Sequence, residues 1–249
     1  MIRIILSQPG LLVFLSVFIS VGSDAQVKLG KYEFGLGLGM MVYQGDLAPS
    51  AFGSYSTSRF GFNLHAGRRI SSSFVARGNL LWGRLAGDES KYNTPEYRQQ
   101  RNFRFNASVK ELTAQLVWLP VKEKKLAPYL FGGAGLSSLH INRDWSRINY
   151  SYFESVASGM AAALAVDSTH QLPGLTPVFI LGGGAKFFIT NSLALNAEYS
   201  YRIMRTDYLD GFSMAANPDK KDHYMNYSVG LVYHTGRRNR SLDCPVIQF

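Results

Sequence analysis

The residue types able to do chemistry are few and scattered along the chain. There are five histidines, His65, His140, His170, His223 and His234, and a single cysteine, Cys244. Asp222 directly precedes His223, and Asp207 and Asp210 lie a short way upstream. An acid beside an imidazole is the minimum set for activating water by general-base catalysis. A hydrolase acting at a membrane surface would also need a positioned nucleophile and an orienting acid. Asp46, Asp88, Asp207 and Asp210 are hard oxygen ligands of the kind that bind divalent cations. Gly45-Asp46 and Asp210-Gly211, however, are turn dipeptides in which aspartate commonly caps the backbone. No phosphate loop, dinucleotide fingerprint or zinc motif is present, so the sequence calls for no cofactor and no resident metal. With no catalytic set standing out, the reading favours a protein that is not an enzyme.

A second group of charges recurs at alternate positions: Glu33, His65, Arg77, Glu111, Lys186, Glu198 and Arg202. It holds three acids and three permanent bases plus a histidine. If all point into one narrow interior they must pair, because an unpaired buried charge costs several kcal/mol even after relaxation. This set predicts an internal salt-bridge plug; its functional rival is a proton or ion path.

The elements that would position these residues read at period two. Eight stretches alternate apolar with polar or glycine residues: Lys31–Tyr43, Arg59–Gly67, Phe74–Gly83, Glu111–Trp118, Pro128–Leu139, Pro177–Ile189, Leu193–Ile203 and Met225–Tyr233. The fifth is glycine-rich and its phase is ambiguous. At roughly 11 residues each, they match tilted membrane-crossing strands better than the 5–6 residues of a typical soluble strand. Aromatic residues gather near their ends (Tyr32, Tyr43, Phe60, Phe74, Trp82, Trp118, Tyr129, Phe187, Tyr201 and Tyr233), as interface girdles require.

Connection lengths sharpen the choice. Ile70–Ser73, Pro120–Leu126 and Thr190–Ser192 are short, and Gln44–Ser58, Leu85–Phe105, His140–Thr176 and Arg205–Asp222 are long. Strict alternation of short and long links is the asymmetry of outer-membrane barrels. The expected fold is an all-β, eight-stranded antiparallel up-and-down transmembrane β-barrel with short periplasmic turns and long external loops. Its membrane partner is outer-membrane lipid, and both termini are periplasmic.

Composition agrees. The chain has 249 residues, 46% hydrophobic but only 17% charged, with 24 Gly, 14 Tyr and 16 Phe. Intrinsic disorder and a disulfide scaffold are excluded. Arg3, the apolar run Leu11–Val21 and the small-x-small Ser23-Asp24-Ala25 form an export signal cleaved after Ala25. The barrel is then expected over residues 26–234, followed by a basic tail, 235–249. The formal charge of +9 is spread over separate clusters, Arg98–Arg104, Lys122–Lys125 and the tail. No nucleic-acid motif accompanies them, and they read as solvated loop charge. Arg237, Arg238 and Arg240 of the tail are candidates for docking on a partner.

Several stretches together resemble one family. These are Glu33–Gly39 leading to Tyr43-Gln44-Gly45-Asp46-Leu47, then Gly87-Asp88, Arg101–Phe105, Glu111-Leu112, Pro128–Gly135 and Thr206–Asp210. Their order and spacing resemble the PorG-like outer-membrane β-barrel proteins of Bacteroidota, which are associated with the type IX secretion system. The resemblance implies a component or docking partner of a protein-export machine that contacts its periplasmic ring subunits. A barrel hydrolase at the outer leaflet and a small-solute channel are the alternatives left open.

Overall fold

A single sheet closes on itself: strands β1 to β8 pair in sequence order and β8 returns to β1. The computed structural model describes residues 30–50, 52–121, 125–156, 159–219 and 221–235. The strands are β1 (Tyr32–Gln44), β2 (Arg59–Arg69), β3 (Phe74–Asp88), β4 (Arg104–Trp118), β5 (Leu126–Asp144), β6 (Leu175–Phe188), β7 (Leu193–Met204) and β8 (His223–Thr235). All neighbours are antiparallel, and the seam runs from Tyr32 opposite Thr235 to Gln44 opposite His223. Closure leaves no sheet edge, so every strand finds its ladder partner inside the wall, as a hydrocarbon environment demands. Among the described residues no helix is long and apolar enough to cross a membrane.

The outward face is apolar through the middle of the wall. Phe34, Leu36, Leu38, Leu64, Leu80, Leu112, Leu116, Leu181, Leu195 and Val229 are all exposed. So large an exposed apolar belt is stable only against lipid. Tyr43 and Tyr129, expected in the aromatic girdles, instead point inward and are buried; Tyr32, Phe60, Phe74, Trp82, Trp118, Phe187 and Tyr233 face out. The ambiguous phase of β5 is fixed with Tyr129, Phe131, Ser137 and Leu139 inside. Its glycines have no side chain to declare a face. Gly133 and Gly135 lie where an added Cβ would meet the β4 backbone at 2.2 and 2.1 Å.

Three strands run further than the alternation of apolar residues suggests. The links expected at Leu85–Phe105 and His140–Thr176 shrink to 89–103 and 145–174, because β3 reaches Asp88, β4 starts at Arg104 and β5 reaches Asp144. The period of two continues there with its polarity exchanged. Asn106, Ser108, Lys110, His140 and Asn142 now face out, while Phe105, Ala107, Val109, Leu139 and Ile141 are buried inside. Beyond the lipid belt the outside is polar and the inside packs on folded loops.

Those loops hold the remaining elements: short helices α1 (Tyr97–Arg101), α2 (Tyr150–Val156) and α3 (Met160–Thr169), with two single 3-10 turns. They share an apolar core of Leu47, Phe103, Leu164, Leu209, Phe212 and Ala215 that continues into the long-loop end of the barrel. Phe103 stacks on Phe212 with ring centroids 4.2 Å apart, and Trp145 meets Phe212 edge-on. The export signal, the tail with Arg237, Arg238 and Arg240, and Cys244 lie outside the described residues.

Candidate functional site: a paired lumen under a folded cap

Alternation along each strand delivers side chains from six strands to the barrel axis. Lys186 of β6 donates to Glu33 Oε2 of β1 at 2.6 Å. Arg77 of β3 donates through Nη1 to Glu198 Oε2 of β7 at 2.8 Å. Arg202 of β7 donates through Nε to Glu111 Oε2 of β4 at 3.1 Å. Each pair crosses the interior between strands that are not neighbours in the sheet. His65 lies near the first two pairs but makes no ion pair among the described residues; its ring occupies the space a side chain on Gly35 would need, 2.1 Å from that Cβ.

Neutral partners complete the network, and these the sequence reading did not single out. Gln115 Oε1 accepts both Nε and Nη2 of Arg77, at 2.8 and 2.6 Å. Tyr129 lies 2.8 Å from Glu198 Oε2 and 2.7 Å from Asn196 Oδ1. Tyr224 donates to Glu111 Oε2 at 2.5 Å, and Arg202 donates to Ser200 Oγ at 2.6 Å. The Arg77 guanidinium also covers the Phe131 ring at 4.6 Å, and His234 Nδ1 stands 3.9 Å from Glu33 Oε2. Inward parity on β4, β7 and β8 would have found Gln115, Ser200 and Tyr224. Tyr129 was hidden by the ambiguous phase of its strand.

Apolar residues lie on both sides of this polar middle. Toward the short turns the interior holds Val75, Val117, Ala127, Phe188, Ala194 and Val232, all buried; toward the long loops it holds Met41, Leu81, Leu85, Phe105, Val109 and Met204. The expectation of a polar face along whole strands therefore holds only for the middle of the barrel. A void of about 10 Å³ beside Glu33, Lys186 and His234 has room for no more than about one water.

Over the long-loop end, loop 205–222 is a hub to which the other three long loops are tied, two by acids that accept from its backbone N–H groups and one by an arginine that donates to its carbonyl. Asp167 of α3 accepts from Ser213, Met214 and Ala215 at 3.2, 3.0 and 2.9 Å. Asp46 accepts from Asn217 at 2.9 Å. Arg101 of α1 donates to Ala215 O at 3.1 Å while its Nε and Nη2 grip Glu89 at 2.9 and 2.6 Å. Arg98 lies 3.5 Å from the same carboxylate. Expected as solvated loop charge, Arg98 and Arg101 are buried braces, because Glu89 folds back beneath them. Gly211 adopts φ +88°, which lets its carbonyl accept from Arg143 at 2.8 Å without the strain a side chain would add.

The hub also carries a buried acid pair. The Tyr43 hydroxyl lies 2.7 Å from Asp210 Oδ2 and 2.6 Å from Asp222 Oδ1. One hydroxyl proton can serve only one of two carboxylates, so the second contact requires a carboxylic acid donating to the Tyr43 oxygen. Burial pushes Asp210 up to about 8, with Asp46 and Asp207 adding like charge. Asp222 is raised by burial and by the neighbouring Asp210. Asp207, half-buried, is raised as well, chiefly by burial.

The Asp-His pair that the sequence offers for general-base catalysis does not assemble. Asp222 turns inward to Tyr43, whereas His223, next along the chain, faces the Tyr201 ring 5.6 Å away on the outside. Consecutive strand residues point to opposite faces. His140 is exposed on the outer wall, and His170 stacks on Tyr208 at 3.8 Å. The four acids offered as cation ligands are engaged elsewhere or form no ligand set: Asp88 pairs with Arg104 at 3.2 Å and caps Ser90, Asp46 caps Asn217, and Asp210 bonds Tyr43. Among the described residues, no group of three or more His, Cys, Asp or Glu side chains is placed to hold a metal ion.

A closed eight-stranded barrel with an outward apolar belt and an interior of crossed ion pairs is matched, over residues 11–234, by the family model of the outer membrane protein beta-barrel domain. The chain belongs to that family. Its membrane is accordingly the outer membrane. Solved structures similar to this family member include Ail of Yersinia pestis, at 14% identity over 84% of this chain and 100% of that one, with a TM-score of 0.46. Neisserial surface protein A is similar at 15% identity over 84% and 99%, TM-score 0.46. The outer membrane enzyme PagL is similar at 9% over 82% and 99%, TM-score 0.37. No curated protein sequence matches.

Proposed function

We propose that this barrel is a non-enzymatic, non-conducting outer-membrane anchor that serves as a component or docking partner of the type IX protein secretion apparatus. The observation that carries the anchor reading is the interior: three crossed ion pairs with buried apolar residues on both sides of them. An eight-stranded wall leaves room only for side chains, and here they fill it. The dispersal of the histidines over both faces and both ends supports a non-catalytic role. The secretion assignment rests on the order and spacing of the stretches from Glu33–Gly39 to Thr206–Asp210 that resemble the PorG-like family. In this reading the long loops face outside, both termini are periplasmic, and Arg237, Arg238 and Arg240 engage acidic periplasmic ring subunits.

Orientation and docking are tested separately. In a Cys244→Ser background, cysteines at the exposed Asn93 and Asn217 should label from outside intact cells with an impermeant reagent. Cysteines at Ser72 and Asn191 should stay protected until the membrane is opened; the reverse pattern overturns the orientation. Crosslinking in native outer membrane should capture periplasmic ring subunits, and Arg237→Gln with Arg238→Gln and Arg240→Gln should reduce that capture. Unchanged capture removes the tail from the interface, and an absence of ring subunits from the captured material defeats the secretion assignment.

A further inference from the structure

The outer wall is not equally apolar around its circumference. On β3 to β5 the lipid-facing rows run from Leu80, Leu112 and Leu136, which are register neighbours, to Trp82, Lys110 and Ser138, and then to Arg84, Ser108 and His140. Arg84, Lys110, Ser138 and His140 are exposed. At the same margin the flanking strands are mostly apolar, with Met40 and Phe60 exposed on β1 and β2 and Phe179 and Ile203 on β6 and β7; the one base beside them, Arg205 just past β7, lies over the Phe179 ring at 5.5 Å. A basic notch therefore opens on one side of the belt, facing lipid rather than the loops.

Its height is set by strand geometry. A strand rising about 3.3 Å per residue and tilted about 40° climbs roughly 2.5 Å per residue along the barrel axis, so Trp118 to Ser108 spans roughly the 25 Å of an outer-membrane apolar band. Trp118 at the short-turn margin then places Lys110 and Arg84 at the level of lipid headgroups near the long loops. Directly opposed positions on adjacent strands lie about 5 Å apart and diagonal ones about 7–8 Å, close enough for both bases to reach one phosphate. Among the described residues neither base has a carboxylate partner. Lys110 Nζ instead lies 5.7 Å from the Trp82 ring centroid, and Trp82 is 64% exposed.

We propose that Arg84 and Lys110, with Ser108 and His140 beside them, form a headgroup site for a phosphorylated lipid in the leaflet that borders the long-loop end. Arginine grips a phosphate through two parallel N–H bonds and lysine adds a point charge, while the Trp82 and Leu112 side chains below them face the acyl chains. The site needs the barrel to lie in a membrane; it does not depend on which end faces outside, nor on any secretion role.

The test uses the full chain refolded into phosphatidylcholine nanodiscs containing bisphosphorylated lipid A. After detergent extraction, retained lipid A is counted per protein by native mass spectrometry. Wild type should retain lipid A, and R84Q/K110Q should retain about thirtyfold less, the effect of two bases removed from a membrane surface. Lys110→Arg should keep most of the retention, and Arg68→Gln, on the outer wall near the short turns, should keep all of it. Lipid A stripped of its phosphates should not be held. Equal retention by R84Q/K110Q, or of the dephosphorylated lipid, overturns the proposal. So does displacement by millimolar inorganic phosphate, which assigns the notch to a free anion. The heat-dependent gel shift verifies folding of each variant, and K110Q alone, expected to lose several-fold, serves where the double variant does not refold.

Discussion

The lumen and the cap both bury charge, but they satisfy it differently. In the lumen, acid meets base: Glu33 with Lys186, Glu198 with Arg77, and Glu111 with Arg202, each reaching across the barrel axis. In the cap, acid mostly meets backbone: Asp167, Asp46 and Asp222 accept N–H groups of loop 205–222. The difference follows from what each region lacks. Strand backbones are saturated by their ladders, so lumen carboxylates can be neutralised only by side chains. Loop backbones have no ladder, and their buried N–H groups need acceptors that aspartates supply. The lumen therefore fixes the shape of the wall, whereas the cap fixes the fold of its own loops.

The largest expected effect comes from breaking one lumen pair. Glu198→Leu leaves Arg77 with Gln115 alone and should cost on the order of 3–5 kcal/mol. It should lower the heat-induced gel-mobility transition clearly, and more than Tyr199→Leu, whose side chain lies on the outer wall. If Tyr199→Leu has the larger effect, lumen pairing is not what sets barrel stability.

Replacing both partners sharpens the same point. Glu33→Leu with Lys186→Met removes both members of a pair and should cost far less than either change alone, since a buried pair is often no better than apolar side chains of similar volume. A double-mutant cycle read on the same gel transition measures that coupling. Additive losses would mean that the two groups do not act as a pair.

In the cap, Asp167→Ala abandons three backbone N–H groups and should loosen the hub by roughly 1–3 kcal/mol without moving the barrel transition. Hydrogen exchange should speed up in residues 205–219 and in α3 while β1 to β8 stay protected. Equal loss of protection in the strands would show that cap and wall form one cooperative unit.

The most local effect is a pH dependence confined to the cap. Asp210 rises on folding to about 8, so between an unfolded carboxyl near 4 and that value the folded cap holds the extra proton. Its contribution is fully present below about pH 4 and is lost as pH climbs through 8. With intrinsic exchange rates corrected, loop 205–222 should be better protected at pH 5 than at pH 9, and Asp210→Asn should flatten that difference. A cap that tightens as pH rises would contradict the shared proton at Tyr43.

The same contrast governs what the sequence discloses. Period two exposes inward side chains wherever lipid makes the other face apolar, so Glu33, Arg77, Glu111, Lys186, Glu198 and Arg202 are legible in the sequence alone. The reading weakened at Tyr129, where glycines erase the alternation, and at β3 to β5 beyond Leu112, where the polar face moves outside. Nothing periodic marks Asp167, 43 residues before Asp210, as the anchor of a distant loop. Nor does any spacing tie Glu89 to Arg98 and Arg101 in advance. Those bonds are set by loop packing, which has no local code.

The most direct test of the sealed barrel is conductance. The refolded full chain, its heat-dependent gel shift intact, is incorporated into a planar bilayer and held across a range of voltages in molar salt. The paired and apolar interior predicts no current steps above the bilayer leak. Reproducible single-channel openings from the folded protein would contradict it.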